Sequence, residues 1–166
     1  LAFIESPMGA TMSYTPWLKN LVPDISLYYV AGYLKLDKYQ TVGASLRYFT
    51  MGNITFTNNT GGGLGDFSPH EFSIDGSYNR KLSENFALGI VGRFIYSNLT
   101  GGLPVAGAST KAAIAGASDI SFIYVDDKFK IGKSKGIFSL GATINNIGNK
   151  VSYSSSLDRD FLPMNL

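Results

Sequence analysis

The sequence predicts an all-β protein, a transmembrane antiparallel up-and-down β-barrel, and three observations carry that expectation. Large residues recur at every second position; the connections alternate between long and short; and several strands reach about 11–14 residues, where strands of soluble proteins usually run to about 5–6. Composition agrees with this. Of 166 residues 45% are hydrophobic and 13% aromatic, yet only 16% are charged, against roughly a quarter in an ordinary soluble domain.

The elements follow in order. Strands are expected near 8–15 and 25–34, with Tyr14 and Tyr33 close to their ends, and a third near 40–52. There Val42, Ala44, Leu46 and Tyr48 alternate with Gly43, Ser45 and Arg47. The fourth, near 70–82, is the clearest: in Phe72-Ser73-Ile74-Asp75-Gly76-Ser77-Tyr78-Asn79-Arg80 the large residues keep to even positions. The fifth, 86–98, sets Phe86, Leu88, Ile90, Phe94 and Tyr96 against Ala87, Gly89, Arg93 and Ser97. The sixth, 112–125, sets Ile114, Ile120, Phe122 and Tyr124 against Asp119 and Ser121, and the seventh, 136–147, sets Phe138, Leu140, Ala142 and Ile144 against Ser139, Gly141, Thr143 and Asn145. A helix would space its apolar residues at 3.6, which none of these segments does.

The long connections are 16–24, 53–69 and 99–111. The short ones fall near Lys35 to Lys38, Leu82 to Asn85 and the basic turn from Lys128 to Lys135. Such alternation fits a barrel whose two rims face different environments, and Tyr and Phe near strand ends fit interfacial girdles. The competing reading is a soluble β-sandwich or barrel with an aromatic core.

Composition also excludes several classes. The absence of Cys rules out disulfide frameworks and thiolate metal sites; a net charge of +2 gives no reason to propose nucleic acid; and no stretch is apolar for the ~20 residues that a membrane helix needs. The chain opens on Leu1-Ala2-Phe3-Ile4, without an initiator Met or the basic and apolar regions of a signal peptide; its beginning is expected to be missing, so this says nothing about location.

If even positions face lipid, odd positions face the lumen, and Arg47, Glu71, Asp75, Arg93 and Asp119 are all odd. A turn at 82–85 sets Asp75 opposite Arg93, and a similar reckoning across 53–69 brings Arg47 near Asp75. The expectation is an Arg47–Asp75–Arg93 cluster, with Asp119 on the same face, filling and stiffening the lumen. A polar conduction path is the alternative.

Chemistry-bearing motifs are weak. His70 has no Cys or carboxylate cluster with which to hold a metal. Asp66, Ser68 and His70 are neighbours on a loop and not an oriented triad. Thr60-Gly61-Gly62-Gly63-Leu64-Gly65-Asp66 lacks the Lys-Ser/Thr and helix of a phosphate-binding loop. The glycosylation patterns at Asn53, Asn58 and Asn98 carry no such meaning in a bacterial barrel. No enzyme activity, metal or cofactor is expected.

The long connections offer partner surfaces. Trp17, Leu18, Leu21 and Val22 cluster in the first, Leu64 sits in the second, and Leu99, Leu103 and Val105 occupy the third. Exposed apolar patches commonly mark binding sites. Loops folded inward to close the barrel mouth are the alternative.

Trp17-Leu18-Lys19-Asn20-Leu21 followed by Asp24, then Leu46-Arg47-Tyr48-Phe49-Thr50-Met51-Gly52, Ala117 to Tyr124, and Leu140 through Asn145-Asn146-Ile147-Gly148-Asn149 to Tyr153 together resemble the PorV (LptO) family, outer-membrane barrels of the type IX secretion system with a FadL-like fold. The resemblance runs over nearly the whole chain. It implies a barrel of about fourteen strands, of which residues 1–166 would form about half of a single domain, the N-terminal plug and C-terminal strands being missing. It further implies a bacterial outer-membrane subunit that binds a large translocon barrel, receives cargo through C-terminal signal domains and passes it to a surface attachment complex with a sortase-like protease, with membrane lipid around it. The alternative is a FadL-like transporter of hydrophobic small molecules. A third reading, lipopolysaccharide deacylation, would have to use Ser68 and His70.

Overall fold

The structure, a computed structural model of the chain, describes all residues except 18–23, 59, 105–108, 133, 155–158 and 166. Every regular element among the described residues is a strand: β1 (Met8–Pro16), β2 (Ile25–Lys35), β3 (Gln40–Met51), β4 (Ile54–Thr57), β5 (Gly63–Phe67), β6 (His70–Lys81), β7 (Phe86–Asn98), β8 (Ala113–Asp126), β9 (Lys130–Ile131), β10 (Ser134–Lys135) and β11 (Phe138–Gly148). Seven form one sheet in the order β1-β2-β3-β6-β7-β8-β11. Each neighbouring pair is antiparallel, so the sheet runs up and down. No helix is long and apolar enough to cross a membrane.

All seven expected strands lie within two residues of the observed ends. The connections fall where expected, but their lengths do not alternate strictly, since the one between β8 and β11 is longer than the one between β1 and β2, and two of them contain hairpins of their own: β4 pairs with β5 and β9 with β10. In the first, Asn58 turns the chain with its side chain. Its Oδ1 accepts from the Thr60 and Gly62 amides at 3.0 and 2.7 Å, a local acceptor role for which Asn suits turns. Alternation was too short there to be read as strand.

Burial runs opposite to that of a soluble domain. The buried hydrophobic residues among those described are all alanines, Ala2, Ala87, Ala113, Ala115 and Ala117, while Ile74, Ile90 and Ile114 are each more than half exposed. Along β8 the odd positions 113–119 are buried and the even positions Ile114 and Ile120 are open. The small and polar residues Thr41, Ser73, Ser97 and Asp119 are buried on the odd face. With no water to answer for them, large apolar side chains are stable outward only against hydrocarbon.

Register arranges the outward face into belts. Tyr14, Tyr28, Tyr48, Phe72 and Tyr96 are successive cross-strand partners, with ring centroids 5.1 Å apart for Tyr14 and Tyr28 and 5.2 Å for Phe72 and Tyr96. Phe86, Tyr124, Phe122 and Phe138 mark the opposite rim, Phe86 pairing with Tyr124. From Phe86 to Tyr96 a strand rises about 33 Å, or about 25 Å of height at a tilt near 40°. That is the height of a barrel's apolar band.

Parity breaks once. Ile144 pairs with Ile120, but Ile147 pairs with Ser118, so a bulge falls between them and Asn146 takes φ +60°. Its short polar side chain tolerates this left-handed conformation better than a branched one would. Residues 1–7 run over the inward face. Leu1 lies beside Gly43 and Ser77, Ala2 beside Ala87 and Gly89, and Lys35 donates to the carbonyls of Ile4 and Pro7 at 2.9 and 2.8 Å.

Candidate functional site

Two places gather the polar and partner-facing residues: the middle of the inward face, and the rim of long connections. On the inward face one row of cross-strand partners reads Ser45, Asp75, Arg93 and Ala117. The Arg93 guanidinium occupies its centre. Its Nε donates to Asp75 Oδ1 at 2.7 Å, Nη2 to Asp119 Oδ2 at 2.9 Å, and Nη1 to Asn146 Oδ1 at 2.6 Å.

The carboxylates are saturated in turn. Asp75 Oδ2 accepts from Ser45 Oγ at 3.0 Å, and Asp119 Oδ1 accepts from the Asn146 amide at 2.7 Å. Five strands, β3, β6, β7, β8 and β11, therefore meet at one guanidinium. The three charged side chains are only 11–20% exposed, and such groups are tolerated when every lone pair and N–H has a partner. Asn146 continues the chain of bonds by donating from Nδ2 to the Pro163 carbonyl at 2.9 Å.

Arg47 is not part of this cluster, which corrects the expected Arg47–Asp75–Arg93 arrangement. The ladder sets Ser45 opposite Asp75 and Arg47 opposite Ser73, two residues from the expected register. The β4–β5 hairpin occupies the long connection, and the ladder resumes at Thr50↔His70, so a plain loop midpoint misplaces the pairing. Arg47 instead sits over the Tyr29 ring, 5.7 Å from its centroid. A cavity of about 270 Å³ lies between Arg47, Glu71, Ser73, Arg93 and Asn146.

Two inward-facing rungs nearer the long loops, Glu71 accepts from Ser97 Oγ, and Ser97 Oγ accepts from Tyr153 Oη at 2.8 Å. Tyr153 belongs to the connection after β11, whose backbone also bonds Lys111 to Tyr153 and pairs Thr110 with Ser154. The connections at this rim are thus joined to one another. Gly101 packs on the Phe67 ring, and Thr110 Oγ1 donates to the Leu103 carbonyl at 2.7 Å.

Among the expected partner-facing residues, Trp17 is half exposed. Its ring meets Phe49 edge-on at 6.2 Å, and because Phe49 lies in the inward row, the indole leans toward the lumen mouth. Leu64 lies in β5. Leu99 and Leu103 are half-buried in the connection after β7. Leu18, Leu21, Val22 and Val105 lie outside the described residues.

Asp24, Gly52 and Asn53 tie the first two long connections together. The Asp24 carboxylate accepts from the Asn53 amide at 2.8 Å and crowds the space where a Cβ on Gly52 would sit, while Gly52 itself has φ +77°. No other residue fits both demands.

His70 and its neighbours do not form a triad. Its Nδ1 lies 3.0 Å from the Ser68 carbonyl, Ser68 Oγ donates to Asn53, and Asp66 is held by Thr55. The imidazole stacks in the girdle between Tyr48 and Tyr96, at 6.2 and 6.1 Å.

Sequence reasoning missed Ser45, Asn146, Ser97 and Tyr153. For Asn146 a signal existed: Ile144 and Ile147 are three residues apart where strict alternation demands an even number, and that spacing marks a bulge. For Tyr153 there was none, because its partner is distant in the chain.

A family model described as Type IX secretion system protein PorV matches residues 1–166 of the chain. No curated protein matches it.

Proposed function

The chain belongs to the PorV family of type IX secretion system proteins, and on that premise we propose that it binds the large translocon barrel in the outer membrane and carries cargo bearing C-terminal signal domains to the surface attachment complex with its sortase-like protease. One observation supports this reading most: large side chains point outward and ionisable ones inward across an antiparallel sheet whose long connections share one rim. In this reading that rim faces outward from the cell and holds the contact residues Trp17, Leu18, Leu21, Val22, Leu64, Leu99, Leu103 and Val105. Shuttling needs a contact that can be made and released, which loops on a rigid scaffold provide. The outward aromatics would offer a second surface toward the translocon.

The seven strands form about half of a barrel of about fourteen in this proposal, because open edges on β1 and β11 would leave unpaired N–H and C=O groups in hydrocarbon. The Asp75–Arg93–Asp119 cluster stiffens and fills the lumen and does not conduct: its charges are bonded to one another. A second reading, uptake of hydrophobic small molecules, draws on the inward cavity of about 540 Å³ bounded by Leu1, Tyr29, Tyr33 and Val91.

The deciding experiment captures translocon and cargo with variants in which Trp17, Leu18 and Leu21 become Ser. Loss of cargo capture with assembly intact is expected. Unchanged capture together with a fall in labelled fatty acid uptake would replace the secretion reading with the transport one.

A further inference from the structure

Resting on the reading of the chain as an outer-membrane barrel with short turns toward the periplasm, we propose that the β9–β10 hairpin binds the phosphate of an anionic phospholipid in the adjoining leaflet. Lys130 and Lys135 are direct cross-strand partners there, and both are exposed. Like charges placed opposite each other destabilise a hairpin. No carboxylate among the described residues forms an ion pair with either lysine, the ion pairs being those of Arg93. Asp126, at the end of β8, spends its Oδ1 on the Lys128 amide at 2.9 Å. A shared anion between the two ammonium groups would turn the repulsion into attraction.

The hairpin also has a fixed position relative to the lipid. The Phe129 ring packs on Phe138 at 5.3 Å between centroids, and the Gly136 amide closes the hairpin base by donating to the Phe129 carbonyl at 2.9 Å. Phe138 opens β11 on the even, outward face and is exposed. The two lysines thus emerge next to an apolar foot that faces acyl chains. A soluble anion would use the charges and leave that foot idle, whereas a phospholipid uses both.

Charge around the two rims points the same way. Positions 1–7, 35–39, 80–85 and 126–137 carry eight Lys and Arg against five Asp and Glu, while the long connections at 16–24, 51–69, 99–112 and 149–166 carry four of each. The excess cation is at the short-turn rim only. Basic residues at a membrane surface attract anionic headgroups over about a Debye length.

The test is native mass spectrometry of the full-length protein with added phosphatidylglycerol or phosphatidylcholine, alongside trypsin protection in vesicles of each lipid. For the parent, phosphatidylglycerol is retained in preference. Lys130→Gln with Lys135→Gln is expected to lower that preference by about tenfold or more, at about fivefold per lysine, while Lys130→Arg with Lys135→Arg and the opposite-rim Lys150→Gln keep it. An unchanged preference in the double Gln variant overturns the lipid site and leaves the barrel standing. Equal retention of glycerol phosphate without acyl chains overturns it too, since the aromatic foot would then contribute nothing. Lack of protection in any vesicle overturns the barrel reading and this inference together.

Discussion

Asp75 and Arg93 face each other across β6 and β7 as direct partners and are joined through Nε at 2.7 Å, in the middle of an inward face where every buried hydrophobic residue described is an alanine. The pair takes the place that a cluster of Leu or Phe would fill in a soluble sandwich. Small side chains leave room for the guanidinium, and the guanidinium links strands that small side chains could not hold together.

Replacing Arg93 by Met should be the most damaging single change on the inward face. It strands Asp75 and Asp119 in one site, and removing one partner of a buried pair costs about 3–5 kcal/mol. Arg47→Met, which loses a cation over a ring, should cost no more than about 1 kcal/mol. Urea unfolding of the folded protein in detergent would compare them; equal losses would mean that Arg47 and Arg93 share one network after all.

Asn146 separates a backbone demand from a side-chain one. Asn146→Gly keeps φ +60° accessible and loses the bonds to Arg93 and Pro163, for about 1–2 kcal/mol. Asn146→Ala loses the same bonds and adds left-handed strain of about 1–2 kcal/mol. Should the Ala variant unfold at the higher urea concentration, the bulge does not hold its conformation as described.

Glycines on the two faces should respond with opposite sign. A side chain added at Gly76 or Gly92 meets open space, while one at Gly89 meets Ser121 Oγ at 2.7 Å and one at Gly43 meets Ser77 Oγ at 2.8 Å. Gly92→Val is therefore expected to raise stability by about 0.5–1 kcal/mol, and Gly89→Val to lower it by about 1–3 kcal/mol. Thermal unfolding in detergent reads both, and matching signs would contradict the assignment of faces.

The turn after β2 should loosen in acid. Asp37 accepts from the Tyr39 amide at 2.7 Å and from the Gln40 amide and Nε2 at 2.8 and 2.6 Å. The Tyr39 backbone bond, foremost, holds its carboxyl below the usual range; desolvation opposes it next, and the Gln40 bonds and the Arg80 charge add to the lowering. Because the folded value is depressed, the turn's added stability is complete above the ordinary carboxylate range and is lost as pH falls through the lowered value. Exchange protection at Tyr39 and Gln40 should drop across that window in the parent and stay flat in Asp37→Asn; a parent profile as flat as the variant's would remove the carboxylate from the account.

Much of the architecture was legible because the period of a strand is written locally. Phe72 to Arg80 and Phe86 to Tyr96 keep most of their large residues at even positions, so strand, face and the Asp75–Arg93 pairing across a short turn all followed from the residues themselves. Across the long connection this failed for Arg47. A hairpin inside 53–69 absorbed residues that a loop reckoning counts differently, and a shift of two along a strand is enough to exchange Ser45 for Arg47 beside Asp75.

What the sequence determined by itself was therefore the inside-out pattern: most large residues even, mid-strand charges odd, strands long enough to cross a membrane, and the secretion family that the whole chain matches. Only the tertiary structure decided which charges meet. It brought Asn146 through a bulge to Arg93, linked Tyr153 to Ser97 and Glu71 across 56 and 82 residues of chain, and stacked His70 in the outward girdle. Alternation fixes the face on which a side chain lies, but contact depends on register between distant strands and on where a ladder slips, and neither is encoded in any short stretch of residues.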